Sequence, residues 1–536
     1  MKKDRLTYLQ NILLPCLLFS GLAGILTGIT VFLFRLAAGA VVSLSETLYA
    51  TVRANPLLLP ALLCGVALVG LLAALILRHA KSCRGGGIPT AVALLRGLIH
   101  FPWINSIFVL FPTAMLSFLC GLPLGSEGPC VQMGTAVGSG TVRVFAKKHQ
   151  AWERYIMTGG ACAGFAAATG APISGIFFAF EEAHRRFSPM LFMSAAMAIL
   201  TSTVTTQILC DLSGIRFTMF AHSADASLPL PFLWAALIVG LLSGLFAILF
   251  TKAYHAIGIL FKKKLAAISF IPKLMLVFVA VALCGFASSE LIGSGHHLID
   301  ELLSGGGVWY LLLIALAVRT LMLLLSNRAG ATGGLFVPSL AFGAIIGALS
   351  ADALIALSLL PADHRALMVV IGMASFLSAS ARTPIMALTF AAEALCGFSN
   401  ILPVAVGVTA AFLIIETVGI APFNDTVIES KVEAEHRGKA PQVVDTHLTV
   451  KPGSFAVGKE VRDILWPPAC VILSVGKQHT GHENAALEES DTLHVRYQTY
   501  DPTATAALFV AILGEQDPDP KLNSFAGDSF HHLPDQ

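Results

Sequence analysis

Long apolar segments recur between Leu9 and about Ile420, and they constrain this chain more than any other feature. A helix needs about 20 apolar residues to cross a bilayer. The clearest candidates are Leu9–Leu36, Pro56–Leu77, Met190–Leu212, Pro231–Phe261, Leu274–Ile292 and Trp309–Leu325. Only 12% of the 536 residues are charged, whereas a soluble protein carries about 25% charged residues. The sequence therefore predicts a polytopic membrane protein and excludes a large soluble enzyme.

A second group of apolar segments is interrupted by glycine and proline. These are Phe101–Gly125, Val131–Phe145, Met157–Ala183, Gly334–Leu360 and Met368–Ala394. Broken helices at membrane depth are tolerated only where they pack against protein or line an aqueous cavity. The pattern favours a transporter or channel over a simple anchor. Sequence motifs such as HExxH and GxSxG are absent, which argues against a membrane enzyme, and no cofactor is expected.

Basic clusters between the apolar segments predict the orientation in the membrane. Examples are Lys2/Lys3, Arg143/Lys147 and Lys262/Lys263/Lys264. The positive-inside rule places such loops in the cytoplasm, together with both termini, and we expect a bacterial inner membrane. The net charge is only +2, so no charge-driven affinity for nucleic acid is expected.

The composition changes after about Glu429, which predicts a second domain. Val443–Val450, Cys470–Val475 and Thr492–Tyr500 have the pattern of strands separated by polar turns. The expected architecture is an all-α polytopic membrane domain over residues 1–430, followed by a small α+β cytoplasmic domain over residues 442–512. The remaining residues, 517–536, are rich in Pro, Asp, Gly and Ser and are predicted to be disordered.

The membrane region contains an internal repeat. Gly85, Gly87 and Gly97 recur as Gly293, Gly295 and Gly305. Further matched pairs at a nearly constant spacing are Gly121/Gly330, Gly125/Gly334, Pro129/Pro338, Gly134/Gly343, Gly138/Gly347, Pro172/Pro384 and Glu181/Glu393. Two halves, about 10–215 and 225–430, with corresponding broken helices predict a site at their interface near the midplane. The alternative is that these residues serve only close helix packing.

Three of the repeated segments begin a helix directly after glycine: Gly85–Pro89, Gly125–Pro129 and Gly333–Pro338. The N-terminus of a helix has free N–H groups and about half a positive charge, so it can hold an anion without a basic side chain. Glycine lets the backbone approach closely. We therefore expect these three helix starts to converge on one anion.

Carboxylates inside the apolar region are candidate functional groups. Glu127 is the only one between Glu46 and Glu153. It can mimic a bound anion and leave on protonation, which would make it both a gate and a proton carrier. Alternatively, it only stabilises a helix start. Glu181 and Glu182 end an apolar segment beside two arginines, so one of them takes protons from the cytoplasm or both pair with the arginines.

Together these segments resemble the CLC family of chloride channels and proton/chloride antiporters. Gly125-Ser-Glu-Gly-Pro129 is similar to the family motif GREGP, Gly85-Gly-Gly-Ile-Pro89 to GSGIP, and Gly334-Leu-Phe-Val-Pro338 to GxFxP. The resemblance implies an inverted-repeat fold, in which the two halves have opposite topology, and a homodimer in the lipid bilayer that transports chloride and protons. It makes Glu127 the external gating glutamate and Glu182 the internal proton glutamate. A glutamate at the second position favours antiport over an uncoupled anion channel.

The resemblance also implies the anion-binding positions and a regulatory domain. The implied positions are Gly86, Gly87, Ile88, Gly128, Leu335, Phe336 and Asn424. Gly86 stands where the family usually has a serine hydroxyl, and Asn424 aligns with its pore tyrosine, which leaves anion preference open. Residues 442–512 resemble the RCK C-terminal (TrkA-C type) domain, which implies a small ligand of unknown identity.

Overall fold

The computed structural model describes residues 14–100, 102–147, 149–224, 226–476, 482–516 and 523–524. The first half of the membrane region is helical. Its helices are α1 (Leu14–Ala54), α2 (Leu59–His79), α3 (Ile88–Leu95), α4 (Trp103–Phe108), α5 (Leu110–Leu119), α6 (Glu127–Phe145), α7 (Glu153–Thr169), α8 (Pro172–Phe177) and α9 (Pro189–Ser213).

The second half of the membrane region repeats this mixture of long and short helices. Its helices are α10 (Leu233–Lys263), α11 (Phe270–Ala287), α12 (His296–Leu303), α13 (Trp309–Ala329), α14 (Phe336–Ala356), α15 (Arg365–Ala381), α16 (Pro384–Ala391), α17 (Ile401–Val418) and α18 (Phe423–Glu435).

Within the described residues, nine helical segments are long and apolar enough to cross a membrane. Large apolar side chains on their outer faces, such as Leu245 and Leu249 on α10, are exposed, as expected for surfaces that contact lipid. The first helix, α1, continues to Ala54, well beyond the predicted end at Leu36, because no proline lies between Leu36 and Pro56. The prediction of an integral membrane protein is confirmed.

Three of the apolar segments that contain glycine and proline form short or irregular helices: Phe101–Gly125, Met157–Ala183 and Met368–Ala394. Prolines lie in the first turns of α3, α8 and α16, where the missing N–H group has no helical partner to lose. After Phe177 and again after Ala391, the helix continues as a π-helical turn, Phe178–Ala183 and Ala392–Cys396. The predicted breaks are therefore present in these three segments, whereas Val131–Phe145 and most of Gly334–Leu360 lie in the continuous helices α6 and α14.

The repeated residues occupy corresponding places in the two halves. Helices α3 and α12, α6 and α14, and α8 and α16 begin at the matched positions. The halves also contact each other there: Gly85 N–H donates to the Gly330 carbonyl at 3.1 Å, and Gly293 N–H donates to the Gly121 carbonyl at 2.8 Å. The repeat therefore builds a shared interface between the two halves.

Some of the repeated glycines do serve close helix packing. Gly134 of α6 lies directly against Gly160 of α7, and Gly343 of α14 lies in the same way against Gly372 of α15. A Cβ atom at any of these positions would overlap the backbone of the facing helix. Packing thus explains the glycines in the middle of these helices but not those at the helix starts.

The C-terminal residues form a small α+β domain with its own core. Its strands and helix are β1 (Gln442–Thr449), β2 (Cys470–Val475), β3 (Thr492–Thr499), α19 (Pro502–Leu513) and β4 (Asn523–Ser524). The sheet has the order β2–β3–β1–β4 and consists of antiparallel pairs. The predicted fold class, helical membrane domain plus α+β domain, is confirmed. Most of the tail expected to be disordered lies outside the described residues, and Asn523 and Ser524 pair with β1.

A loop of this domain, residues 463–466, docks on helix α7. The Tyr155 hydroxyl donates to the Asp463 carbonyl at 2.6 Å and accepts from the Leu465 N–H at 2.9 Å. The Arg154 guanidinium donates to the Trp466 carbonyl at 2.7 Å. Leu465 is buried in the same apolar cluster as Tyr155. The two domains are therefore joined by a packed, hydrogen-bonded contact.

We expect truncation before Gln442 to preserve transport and lower thermal stability. Every candidate site residue precedes the cut, so the pathway is intact, whereas Tyr155 and Arg154 lose their partners. The measurement is the flux of reconstituted protein together with its unfolding temperature in detergent. Tyr155→Phe in the full chain is the matched control, since it removes only one hydroxyl, whose hydrogen bonds contribute about 1 kcal/mol each. A truncated protein that folds but cannot transport would contradict this expectation.

Candidate anion and proton site

Three helix starts meet at one point in the interior, as the glycine pattern predicts. Gly125 and Gly334 exchange two backbone hydrogen bonds, 2.8 and 2.7 Å long, which join the starts of α6 and α14. A Cβ atom at Gly128 would lie 2.6 Å from the Gly334 Cα atom and 2.9 Å from the Gly87 Cα atom. The start of α3 therefore lies against the other two, and only glycine permits this approach.

The convergence point is enclosed by buried apolar side chains. Ile88, Leu335 and Phe336 are each at most 5% exposed. The Phe336 ring packs edge-to-face on Phe165 and Phe390, with ring centroids 5.2 and 5.1 Å apart. Three positive helix ends in a region shielded from water attract an anion more strongly than exposed helix ends do. The geometry is therefore suited to hold a small dehydrated anion.

Gln132, which the motif analysis missed, reaches this convergence from helix α6. Its Oε1 atom accepts the Gly87 N–H at 2.9 Å. Its side chain is fully buried, and among the described residues its Nε2 atom has no hydrogen-bond partner. A Cβ atom at Gly86 would lie only 2.8 Å from that Oε1 atom, so the Gln132 amide fills the space beside Gly86. A buried amide NH₂ without a partner is a donor available to an anion.

Glu127 is the first residue of α6 and is 2% exposed. Its Oε1 atom accepts the Ser126 hydroxyl at 2.9 Å and lies 3.8 Å from His296 Nε2. In the described part of the chain, its Oε2 atom is buried without a hydrogen-bond partner. A carboxylate held at a helix start with one unsatisfied oxygen is poised to exchange a proton or to move away.

Glu182 lies at the far end of α3 from this convergence. The Arg96 guanidinium, just after α3, donates to the Glu182 carbonyl at 2.8 Å. The Glu182 carboxylate is buried and accepts a hydrogen bond from the Asn424 amide. Helix α3 has eight residues, so the two ends are separated by about 12 Å. Asn424 thus contacts Glu182 directly. The alignment of Asn424 with the family's pore tyrosine did not predict this contact.

Glu181 and Glu393, which occupy matching positions in the two repeats, each cap a helix in the opposite half of the molecule. The Glu181 carboxylate accepts the N–H groups of Ile385 and Met386, at 3.0 and 2.7 Å, and so caps helix α16. The Glu393 carboxylate accepts the N–H groups of Ile173 and Ser174, at 2.9 and 2.8 Å, and so caps helix α8. Each half of the molecule therefore caps a helix of the other half. The Glu181 carboxylate thus binds backbone N–H groups at a helix start, whereas the Glu182 carboxylate binds the side-chain amide of Asn424.

Two residues of the site, Gln132 and His296, were not predicted from the sequence, although each has an unusual position in it. Gln132 is the only amide side chain between Asn105 and Gln150, and it lies five residues after Glu127. His296 follows the repeated glycine Gly295, at the position that matches Ile88 in the first half. Neither signal indicates a contact by itself, because the partners lie on other helices.

This molecule is a membrane transport protein built from two repeats, with buried carboxylates at and near the junction of its helix starts. The family model described as "Voltage gated chloride channel" matches residues 69–416, more than half of the chain. The chain therefore belongs to the CLC family of voltage-gated chloride channels and their transporter relatives.

Curated relatives cover most of this chain. It is 29% identical over 377 residues to the H(+)/Cl(−) exchange transporter ClcA of Klebsiella pneumoniae, covering 69% of this chain and 79% of the relative. It is 29% identical over 434 residues to the protein of that name from Vibrio vulnificus, covering 78% of this chain and 90% of the relative.

Solved structures share the fold at lower identity. A slow cyanobacterial Cl⁻/H⁺ antiporter superposes with a TM-score of 0.72 at 23% identity, covering 79% of this chain and 99% of the other. A CLC-type fluoride/proton antiporter superposes with a TM-score of 0.63 at 20% identity, covering 76% and 96%. At these identities the likeness concerns the fold.

Proposed function

We propose that this protein is a secondary transporter that exchanges chloride, or a similar inorganic anion, for protons. The observation that carries the proposal is the pair of buried carboxylates: Glu127 lies at the convergence of helix starts, and Glu182 lies at the other end of α3, a helix about 12 Å long. A proton that crosses the molecule needs a titratable group near each side of the anion site. The exchange activity named for the curated relatives supports the same function.

The alternative is an uncoupled anion channel on the same fold. A conducting pore needs the helix starts but has no need of a second buried carboxylate, which costs several kcal/mol to keep inside a membrane. Glu182 is the feature that favours the exchanger.

Simultaneous chloride and pH recording from proteoliposomes tests the function. With a chloride gradient and no proton gradient, we expect protons to move uphill in the direction opposite to chloride. The proton movement should persist when a potassium ionophore clamps the membrane potential, because it is then driven by coupling and not by voltage. Chloride flux without any proton movement would identify the protein as a channel.

In this proposal the anion occupies the point where the three helix starts meet. The groups that contact it belong to Gly86, Gly87, Ile88, Gly128, Leu335 and Phe336. Asn424, the remaining position that the family resemblance implies, binds the Glu182 carboxylate and would meet an anion only at that end of α3. Gln132 supplies an amide donor beside Gly86, where no side-chain hydroxyl is available. This donor compensates in part for the serine that the family usually has there.

We expect Gln132→Glu to weaken chloride binding about tenfold or more. The substitution keeps an oxygen that accepts the Gly87 N–H but replaces the amide donor with a group that repels an anion. A hydrogen bond to a charged partner contributes about 1.5–3 kcal/mol, and about 1.4 kcal/mol corresponds to a factor of ten. Calorimetric titration of purified protein with chloride measures the change. Gln150→Glu, at an exposed position, is the matched control, and equal affinities in the two variants would remove Gln132 from the site.

The proposal extends to location and assembly. The protein is an integral membrane protein with apolar helices of spanning length. We place it in a bacterial inner membrane with both termini in the cytoplasm, since the basic loops follow the positive-inside rule, and we propose a homodimer with one pathway per subunit. Native mass measurement in detergent and protease access to the C-terminal domain in oriented vesicles test these two points.

A further inference from the structure

His296 lies between the buried carboxylate of Glu127 and the solvent. Its Nε2 atom is 3.8 Å from Glu127 Oε1, and its side chain is 35% exposed while that of Glu127 is 3% exposed. Histidine is the side chain whose ordinary pKa allows it to gain and lose protons near neutral pH. The imidazole thus connects a buried acid to water.

The backbone holds this histidine firmly in place. His296 is the first residue of α12 and follows Gly295, whose φ of +110° strongly favours glycine. The fully buried Arg319 side chain donates to the carbonyls of Glu290, Ile292 and Gly293, at 2.7, 2.9 and 2.8 Å. An arginine that binds three carbonyls of the preceding loop fixes the position from which His296 faces Glu127.

The Nδ1 atom of the ring has a hydrogen-bond partner that suits either protonation state. Its Nδ1 atom lies 2.7 Å from the Ser294 hydroxyl, which can donate to or accept from that nitrogen. Phe220 packs beside the ring with centroids 5.6 Å apart. The charged groups that act on His296 are Glu127 from α6, Arg35 from α1 and Asp300 from its own helix. Of these, Glu127 is the group that lies directly opposite Nε2.

We infer that His296 is the proton-transfer residue that carries protons between solvent and Glu127. The imidazole takes a proton from water or buffer on its exposed side. The Nε2–H bond of the imidazolium then breaks as an O–H bond forms on Glu127 Oε1, and the imidazole returns to its neutral state. The gap of 3.8 Å closes when the imidazolium is attracted to the carboxylate, as catalytic hydrogen bonds often shorten during reaction. The inference rests on the proposed exchange of protons at Glu127.

The test compares His296→Gln with His297→Gln in proteoliposomes from about pH 5 to pH 8, the range in which histidine titrates. The introduced glutamine is polar but carries no proton, whereas His297 is exposed and lies next in the chain. We expect His296→Gln to slow proton exchange about tenfold or more and to flatten its pH dependence, and His297→Gln to behave as wild type. Added imidazole should restore part of the rate in His296→Ala, because a free base can replace the missing relay.

Repeating the His296→Gln substitution in the Glu127→Gln variant distinguishes a role of His296 in proton transfer from a role in supporting the fold. In Glu127→Gln the carboxylate that would receive the proton from His296 is absent, so adding His296→Gln should leave anion flux unchanged. A further loss of anion flux in the double variant would show that the ring only supports the fold and would overturn the inference. Wild-type pH dependence in His296→Gln would overturn it as well. If the wild type conducts anions without moving protons, the proposed exchange is wrong. The role of His296 can still be tested in that case, by comparing the pH dependence of anion flux in the wild type and in His296→Gln.

Discussion

Glu127→Gln is expected to abolish proton transport while anion flux continues. The carboxylate lies at the convergence of the helix starts with one oxygen bound to the Ser126 hydroxyl and, among the described residues, the other without a partner. A glutamine has nearly the same shape as the protonated acid but cannot release a proton. We therefore expect proton flux to fall to background in dual-electrode recordings and to become independent of pH.

Glu153→Gln is the matched control for this prediction. Glu153 also begins a helix, α7, and its carboxylate binds the Ser139 hydroxyl and the Arg143 guanidinium, each at 2.6 Å. If Glu127 only stabilises a helix start, both variants will lose stability and both will still move protons. Proton coupling that survives in Glu127→Gln would refute its role as gate and proton carrier.

Glu182→Gln is expected to reduce proton transport to background and to leave passive anion movement. The substitution preserves an oxygen that accepts from the Asn424 amide, so the surrounding structure is retained while the titratable group is lost. Because Glu182 lies at the far end of α3, its loss interrupts proton delivery without changing the helix starts. The same recordings of chloride and pH measure the result.

Glu181→Gln and Glu393→Gln are the matched controls for Glu182→Gln. Each removes the charge from a carboxylate that caps a helix of the opposite half. We expect both to lower the free energy of unfolding by about 0.3–1 kcal/mol, the usual contribution of a negative charge near a helix N-terminus, because glutamine keeps an oxygen that accepts a hydrogen bond, and we expect both to keep coupled transport. Loss of proton transport in Glu181→Gln but not in Glu182→Gln would transfer the internal proton role to Glu181.

Much of this protein follows from local sequence patterns. The apolar segments establish a membrane protein because a bilayer demands a certain length of apolar helix. Glycine and proline mark the broken helices because each restricts or releases the backbone at its own position. The repeat of Gly125–Pro129 as Gly334–Pro338 indicates a shared site, and Glu127 stands out as an isolated carboxylate in an apolar region. These inferences need no knowledge of distant contacts.

Only the tertiary structure decided how the candidate groups are partnered. Glu181 and Glu182 are neighbours in the chain, yet the first caps a helix 204 residues away and the second binds Asn424, 242 residues away. The π-helical turn that contains them also changes the direction of each side chain relative to a regular helix. The available amide of Gln132 and the approach of His296 to Glu127 arise in the same way. Such contacts depend on how separate helices pack against each other, whereas a sequence pattern indicates only which residues share one face or one end of a single helix.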